Sequence, residues 1–339
     1  MSESGQLILT QSPSSLPVLA SSPPEIVAKA GPAACFAWDE FFLATIRNAN
    51  TRTAYGRAVR QFLGWLEPGI ALTDITPSMV GSYFNQHPGG PSTRKLHLAA
   101  LRALFDRLVL RHAMLLNPAC SVRGERYQVI EGKTPEITID HARRLLASIQ
   151  THISKIGEDD PVTIARPVGL RDRAMLGVMI YTAARAGAIA RLRLKHFTYD
   201  GSQWNLRFEE KGGKSRSIPV RHNLQEFLLE YIESAGLSNE PPDSPLFRSA
   251  YRKTGRLTPK AVSGVDLYRM VKRRLKDAAL PTHFSPHSFR VTTVTDLLTQ
   301  GVPLEDVQYL SGHSDPRTTR LYDRRQKRIT RNTVERISI

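Results

Sequence analysis

Three short stretches in the last third of the chain decide how it folds: Ser285-Pro-His-Ser-Phe-Arg290, Leu310-Ser-Gly-His313 and Arg320-Leu-Tyr322-Asp. Ser285 and Pro286 are a favourable N-cap and first-turn pair, so a helix is predicted to begin here. His287 and Arg290 then lie at positions i and i+3, on one face of that helix. The N-terminus of a helix attracts anions, and these two side chains add hydrogen-bond donors to it. The stretches therefore predict a phosphate-binding site, with Tyr322 as a candidate nucleophile.

The composition is that of a globular protein with a polyanionic partner. The 339 residues are 41% hydrophobic and 23% charged, which predicts two folded domains rather than a disordered basic tail. Lys and Arg total 47 against 31 Asp and Glu, giving a net charge of +16. A charge of this sign and size favours contact with phosphate groups. On composition alone, DNA, RNA and an anionic membrane all fit.

The two cysteines, Cys35 and Cys120, are too few for a disulfide framework, and neither has a metal-ligand spacing. This usage predicts a reducing, cytoplasmic setting. No run of apolar residues is long enough for a membrane helix, and no basic segment precedes the N-terminal Leu-Ile-Leu. We therefore expect neither export nor membrane insertion.

Changes in sequence character divide the chain into four segments. Residues 1–34 are rich in Ser, Pro and Ala with almost no charge, and predict a flexible leader. Residues 35–122 have helical periodicity and predict a small all-helical domain. Residues 123–136 are basic and without periodicity, as expected of a linker. Residues 137–339 predict a larger domain that mixes helices with a small antiparallel sheet and ends in a C-terminal tail.

The helical domain should present basic faces. One helix is predicted with Thr51 as its N-cap. A second is predicted from Ser92 onward, burying Leu96, Ala100, Leu104 and Leu108. The polar faces carry candidate contacts to a DNA backbone, although a solvated face is the alternative for each: Arg57, Arg94, Lys95 and Arg102. In the larger domain the same role is assigned to Lys214, Lys260 and Arg273, which should add affinity more than specificity.

The larger domain is predicted to be α+β and mainly helical. Helices are expected at 138–150 and 169–190. Residues 204–208 alternate like a strand, and a second strand is expected through Ile218 and Val220 after a Lys-Gly-Gly-Lys turn. Neither alternating βαβ units nor an internal repeat is found, which argues against a parallel sheet.

Two upstream motifs complete a set whose order and spacing resemble the tyrosine recombinase family, the phage-integrase type that includes the Xer and Cre recombinases. Tyr-Thr-Ala-Ala-Arg185 resembles the family's first arginine box, and Lys211 its β-hairpin lysine. The three stretches quoted first resemble its HxxR, LxGH and tyrosine motifs. The likeness spans residues 138–330, and residues 36–119 are similar to the family's helical, SAM-like core-binding domain.

Two positions depart from the family pattern. The family usually has Gly two residues before the first arginine and an acidic residue three residues after it. Ala183 and Ala188 stand at these positions. The acidic residue supports the arginine rather than reacting, so its replacement bears on the orientation of Arg185.

The resemblance implies a site-specific recombinase or integrase that cuts and rejoins DNA through a 3′-phosphotyrosyl intermediate on Tyr322. It also implies a partner, double-stranded DNA with a specific recombination site, bound in the cytoplasm at the nucleoid. A homo-tetramer linked through the C-terminal tail would assemble on that DNA. A type IB topoisomerase-like relaxase and a DNA-binding protein with a decayed site are the alternatives that the sequence leaves open.

Each remaining residue of the set has a role implied by the family. Arg185 and Arg290 would stabilise charge on the phosphate. His287 would accept the proton of the tyrosine. Lys211 would protonate the leaving oxygen, and His313 would hydrogen-bond the phosphate. None of these roles requires a metal or another cofactor.

Overall fold

The computed structural model describes residues 22–125, 134–156, 161–209, 215–252 and 254–322, together with residue 335. The chain divides into two compact units, residues 1–128 and residues 129–339. Helices dominate, with small antiparallel sheets in the second unit. The predicted α+β, mainly helical class is therefore confirmed.

The first unit is a set of helices around an aromatic core. Trp38, Phe41, Phe62 and Phe105 are at most 1% exposed. The ring of Phe62 meets that of Phe105 edge to face, which holds two helices together. The helices are α1 (Glu25–Lys29), α2 (Pro32–Asp39), α3 (Ala49–Trp65), α4 (Pro77–Gln86) and α5 (Pro91–Leu110), with a π-helix at Glu40–Thr45 and a 3₁₀ helix at Leu72–Asp74.

Two details predicted for this unit are wrong. The N-cap of α3 is Asn48 and not Thr51, because the Asn48 side chain accepts hydrogen bonds from the backbone N–H groups of residues 50 and 51. On α5, Leu96 is 38% exposed, whereas Leu98 and Leu101 are buried. Of the four residues predicted to be buried on α5, only Leu96 is exposed, and Ala100, Leu104 and Leu108 are buried.

The helical unit also begins earlier than predicted. The first helix starts at Glu25, and the side chains of Val27 and Ala34 are fully buried. A flexible leader is therefore wrong over residues 25–34, where small apolar side chains pack into the core despite the low charge of the segment. Residues 1–21 lie outside the described residues, as do residues 126–133 of the predicted linker.

In the part of the chain that the structure describes, the second unit has a helical core with three small sheets. Its helices are α6 (Ile139–Ala147), α7 (Pro167–Thr182), α8 (Ala186–Ala190), α9 (His222–Ser234), α10 (Gly264–Asp277), α11 (Pro286–Thr299), α12 (Leu304–Ser311) and α13 (Pro316–Arg320), with a 3₁₀ helix at Leu194–His196. Its strands are β1 (His152–Ile156), β2 (Pro161–Ala165), β3 (Phe197–Tyr199), β4 (Trp204–Glu209), β5 (Ser215–Pro219), β6 (Arg248–Ala250) and β7 (Leu257–Ala261). The buried helix α7 packs against α9 and α11.

The predicted hairpin is confirmed as β4 and β5, with Leu206 opposite Ile218. Its turn, residues 210–214, lies outside the described residues. The strand β3 adds to this hairpin, and the pairs β1–β2 and β6–β7 form two further antiparallel sheets. These additional strands are missing from the prediction. Both β3 and β6 span only three residues, too few for an alternating pattern to be recognised.

The helix predicted over 169–190 is in fact two helices. The first, α7, ends at Thr182 because Ala183 adopts the left-handed conformation, with φ of 50°. The chain then turns, and α8 begins directly after Arg185. This break takes Arg185 off the axis of α7 and towards the site described below.

A buried carboxylate ties α7 to α10. Asp172 is fully buried and accepts hydrogen bonds from the guanidinium groups of Arg171, Arg273 and Arg274. Such a group is stable inside a protein only when it is paired and hydrogen-bonded in this way. Because α10 leads into α11, the network also helps to place the helix that carries two of the candidate site residues.

Candidate active site

The N-terminus of α11 positions two predicted site residues. Ser285 is the N-cap, and its N–H donates to the hydroxyl of Ser288 at 3.1 Å, while a proline fills the first turn. Arg290 is 1% exposed, and its Nη1 donates to the carbonyl oxygen of Ala183 at 2.5 Å. His287 lies in the first turn of the same helix and is accessible to solvent. The predicted helix start is confirmed.

Tyr322 contacts both histidines of the site. Its hydroxyl lies 3.1 Å from Nε2 of His287. Its ring stacks on that of His313, with centroids 5.6 Å apart and planes within 6° of parallel. The rest of the side chain packs in an apolar cluster with Val291 and Val294 and is 9% exposed. The hydroxyl is therefore held beside a proton acceptor while the ring is fixed by its neighbours.

His313 follows the end of α12, where Gly312 adopts φ of 62° and turns the chain. Its Nδ1 lies 2.9 Å from the hydroxyl oxygens of both Ser311 and Thr319. Burial lowers the pKa of His313 to about 3, with further contributions from nearby guanidinium groups. The imidazole is therefore neutral at physiological pH.

Arg185 reaches the same site from the break after α7. Its Nη1 donates to the carbonyl oxygen of Gly312 at 3.0 Å, which places it next to His313. Although part of His287 is open to solvent, desolvation of the rest of its ring, and then the positive charges of Arg290 and Arg185, hold the pKa of His287 below its ordinary value. The site thus holds two guanidinium groups and two neutral imidazoles around one phenol. This arrangement can bind an anionic phosphate and attack it.

The structure brings together Arg185, His287, Arg290, His313 and Tyr322. The sixth predicted catalytic residue, Lys211, belongs to the hairpin turn outside the described residues, as does the predicted DNA contact Lys214. Both assignments therefore stay predictions.

Sequence reasoning missed Arg216, a buried residue on β5. Its guanidinium donates to the carbonyl oxygen of Leu310 and lies 4.8 Å from the centroid of the Phe208 ring. Its charge also contributes to the lowered pKa of His313. A signal was present in the sequence, because Arg216 lies two residues before Ile218 and shares its inward face of the strand.

Six predicted DNA-backbone contacts lie in the described residues. Four of them are exposed: Arg57, Lys95, Lys260 and Arg273. Three of the six have partners within the protein. Arg94 pairs with Glu125 at 2.6 Å, Arg102 donates to the backbone carbonyls of residues 119 and 122, and Arg273 pairs with the buried carboxylate of Asp172. These three arginines thus support the fold, and their contact with DNA stays a prediction.

Within the ranges that the structure describes, no helix is both long enough and apolar enough to span a membrane. No group of three or more His, Cys, Asp or Glu side chains in that part of the chain could hold a metal ion. Among the described residues, the guanidinium groups of Arg185 and Arg290 act on both imidazoles.

Both units are similar to known proteins in sequence. The phage integrase family model matches residues 137–328, and the model of the phage integrase N-terminal SAM-like domain matches residues 38–112. The tyrosine recombinase XerC of Actinobacillus succinogenes is 31% identical over 227 residues, covering 67% of this chain and 68% of its own. The tyrosine recombinase XerD of Listeria monocytogenes serotype 4b is 26% identical over 287 residues, covering 81% of this chain and 88% of its own.

Solved structures share the fold. A lambda integrase tetramer bound to a Holliday junction matches with a TM-score of 0.61 at 17% identity, covering 85% of this chain and 76% of that one. The XerH site-specific recombinase bound to difH substrate, in a pre-cleavage complex, matches with a TM-score of 0.58 at 21% identity, covering 84% and 77%. At these identities the likeness establishes the fold.

Proposed function

The chain belongs to the phage integrase family and is a tyrosine-type site-specific DNA recombinase, and from this premise we propose that it cuts and rejoins strands through a 3′-phosphotyrosyl bond on Tyr322. The proposal rests on the 3.1 Å contact between the Tyr322 hydroxyl and Nε2 of His287, in the field of Arg185 and Arg290. The family match and the Xer relatives favour this function over the topoisomerase-like and decayed-site alternatives.

In the first step, the hydroxyl oxygen of Tyr322 attacks the scissile phosphorus. The new P–O bond forms as the bond to the 5′-oxygen breaks, and the phenolic proton passes to Nε2 of His287. A free phenol has a pKa of about 10 and needs such an acceptor at neutral pH. His287 suits the role because its lowered pKa keeps the imidazole neutral and able to take the proton.

Arg185 and Arg290 stabilise the negative charge that grows on the non-bridging oxygens. Hydrogen bonds to the carbonyls of Gly312 and Ala183 hold them in place before DNA binds, so little reorganisation is needed in the transition state. The planar guanidinium group can bind two phosphate oxygens and stays charged at any relevant pH. Each such donor contributes about 3 kcal/mol, or a factor of about a hundred in rate.

The leaving 5′-oxygen takes a proton from Lys211 in this mechanism. His313 covers the ring of Tyr322 and keeps the nucleophile in place. In the second step, a 5′-hydroxyl attacks the same phosphorus and gives its proton to Lys211, while the bond to Tyr322 breaks and the phenol oxygen regains its proton from His287. Attack by the hydroxyl of a second duplex exchanges strands, whereas attack by the original one reseals the nick. Neither outcome needs ATP, because the phosphotyrosyl bond keeps the energy of the phosphodiester.

We also assign the protein a specific recombination site in duplex DNA at the nucleoid, and a homo-tetramer as its active assembly. The lambda integrase relative forms a tetramer on a Holliday junction. The proposed link is the tail, residues 330–339. A groove in the second unit, lined in part by Leu146, Ile180, Leu297 and Val302, offers an apolar surface for a tail of this composition. Deleting residues 330–339 should weaken pairing of two duplexes while leaving binding to one duplex intact; unchanged pairing would exclude the tail.

Covalent trapping tests the central step. Duplexes that the protein binds are first selected from a random library, and the selected site is then nicked next to the scissile phosphate so that cleavage cannot be reversed. The native protein and the matched control Tyr309→Phe, which alters a tyrosine that is 59% exposed, should form a covalent adduct. Tyr322→Phe should form none. Absence of an adduct with the native protein would leave DNA binding alone, and plasmid relaxation without strand exchange would support the topoisomerase alternative.

A further inference from the structure

Arg216 is a buried arginine on the inward face of the hairpin formed by β4 and β5. It is 5% exposed and lies directly opposite Phe208, which is fully buried in the main core. Its guanidinium carbon lies 4.8 Å from the centroid of the Phe208 ring, a favourable contact between a cation and an aromatic face. Burial of a guanidinium group costs free energy unless polar partners replace its lost hydration. The contacts of Arg216 therefore decide what this charge does inside the protein.

One of these contacts is to the C-terminal end of α12. Nη1 of Arg216 donates to the carbonyl oxygen of Leu310, in the last turn of that helix. The last carbonyls of a helix lack an N–H partner within it and carry partial negative charge, so a cation stabilises them. Two residues further along the chain, the carbonyl oxygen of Gly312 accepts from Nη1 of Arg185. One helix end therefore binds two guanidinium groups, one buried and one at the reacting site.

The orientation of Arg185 depends on the turn that follows α12. Arg185 is exposed, and a long exposed side chain loses conformational entropy when it is held in one geometry. The Gly312 carbonyl that holds it lies in a left-handed turn with φ of 62°. Glycine has no side chain with which to fix such a turn. The contact of Arg216 with Leu310 joins the same helix end to the core of the hairpin.

We infer that Arg216 is a positioning residue that holds the end of α12 in place and, through the Gly312 carbonyl, orients Arg185 towards the scissile phosphate. Because Arg216 is buried, it acts through Arg185 rather than by touching the substrate. The inference rests on the proposed function, since the phosphate that Arg185 stabilises belongs to that reaction.

Single-turnover trapping at saturating protein measures the maximal rate of adduct formation separately from DNA affinity. Arg216→Met should lower that rate at least about tenfold, because a hydrogen bond that positions a charged donor is lost. The matched control Arg207→Met removes an exposed arginine of the same hairpin and should keep the native maximal rate. A native maximal rate in folded Arg216→Met would overturn the inference.

A double-mutant cycle tests whether Arg216 acts through Arg185. In an Arg185→Met background, the further change Arg216→Met should slow the reaction by less than about threefold, because the group that Arg216 positions is already missing. The full loss of about tenfold in that background would show independent action and overturn the route through Arg185.

A substrate with sulfur in place of the scissile 5′-oxygen excludes a different route, through Lys211. Lys211 belongs to the turn of the same hairpin and is the proposed proton donor to that oxygen. A thiolate is a weaker base than an alkoxide and leaves without a proton. Arg216→Met should therefore stay slow on this substrate. Recovery of the native rate would overturn the inference in favour of Lys211.

Amide hydrogen exchange of the full chain without DNA reports on the turn independently of catalysis. The N–H groups of Gly312 and His313 donate to the carbonyls of Tyr309 and Gln308. Both should exchange faster in Arg216→Met, whereas amides in the middle of α11 should keep their native rates. Unchanged exchange at both amides in the folded variant would overturn the inference.

Thermal unfolding shows whether each variant is folded. If Arg216→Met does not fold, Arg216→Gln replaces it in every assay with the same expected results, because glutamine keeps a polar group but lacks the charge and the length of arginine. Failure of the native protein to form any adduct would instead refute the proposed function, and hydrogen exchange would still measure the hold of Arg216 on the turn.

Discussion

Replacing Arg290 separates the two contributions it makes to the site, a hydrogen-bonding fork and a positive charge. Arg290 is 1% exposed, and its Nη1 donates to the carbonyl of Ala183. Arg290→Lys keeps the charge but loses the planar fork, so one ammonium group must serve both the carbonyl and the phosphate. Arg290→Met keeps an apolar stem of similar length and removes the charge.

Both variants should slow covalent adduct formation. Arg290→Lys should be about a hundredfold slower than the native protein, because one preorganised donor to the transition state contributes about 3 kcal/mol. Arg290→Met should be slower still, since it also loses the charge that strengthens such a hydrogen bond. Arg290→Met should be slower than Arg290→Lys because Arg290 is buried, and water cannot readily enter to replace the missing positive charge.

The pH dependence should distinguish the two variants. Cleavage requires neutral His287, so the rate rises with pH as His287 loses its proton. The charge of Arg290 helps to hold the pKa of His287 low, after the larger effect of burial. Removing that charge raises this pKa, so the acidic limb of the profile should move to higher pH in Arg290→Met. In Arg290→Lys the charge remains and the limb should stay in place.

Single-turnover trapping on the nicked duplex across a pH range measures both effects. Arg191→Lys, which alters an exposed arginine on the same unit, is the matched control and should behave like the native protein. Thermal unfolding of each variant identifies any loss of rate that comes from misfolding. A native rate in Arg290→Met, or an acidic limb that moves to lower pH, would refute the assignment of Arg290 and His287.

Three further variants test the framework of the second unit. In chemical denaturation, Asp172→Ala should lower the free energy of unfolding by about 3–5 kcal/mol, because it leaves buried guanidinium groups without their carboxylate. The control Asp243→Ala alters a side chain that is 63% exposed and should change this free energy by at most about 0.5 kcal/mol. Equal effects of the two substitutions would contradict the buried network. Arg273→Ala should cost under about 1 kcal/mol, since its side chain is 51% exposed and the carboxylate keeps two other partners. If Arg273 also contacts a phosphate, the slope of log affinity against log salt should decrease by about 1, and an unchanged slope would exclude the contact. Gly312→Ala should cost about 1–2 kcal/mol in thermal unfolding, because residue 312 has φ of 62°, and a native stability would show that the turn tolerates a side chain.

The local structure around the candidate site residues could be predicted because its signals are local. The pair Ser285 and Pro286 marks the start of α11, and Gly312 marks the end of α12. Each motif places its residues within a turn or two of such a marker, and the resemblance of the whole set to the family implies that the motifs come together. Two equally good caps cannot be distinguished in this way. Asn48 and Thr51 both suit an N-cap, and the packing of the helix against the core decides between them.

The contacts that support the site could not be predicted in the same way, because they join distant segments. Arg216 donates to the carbonyl of Leu310, which lies far along the chain. Ser311 and Thr319 are ordinary residue types in short helices, and their meeting at His313 depends on the turn between α12 and α13. Sequence periodicity reports which face of an element is buried, but it does not report the partner that the face meets.

The two departures from the family pattern have different consequences. Ala183 stands where the family usually has Gly and adopts φ of 50°, a conformation that costs an L-residue about 1–2 kcal/mol. Its buried methyl group packs with Val291 and Val294, and burial of one such group contributes about 0.8 kcal/mol, which offsets part of that cost. The same turn directs the Ala183 carbonyl to Arg290. The strained conformation of Ala183 therefore occurs at the same turn as the contact that fixes one arginine of the site.

Ala188 stands where the family usually has an acidic residue, and its side chain is 7% exposed in the main core. An alanine there has no carboxylate with which to orient Arg185. The carbonyl oxygen of Gly312 accepts from Arg185 at 3.0 Å and supplies an orientation from the end of α12. Gly312 also directs the chain into His313. Because Arg185 and His313 depend on one turn, a change at Gly312 should displace both together, whereas a change at position 188 should act on Arg185 alone.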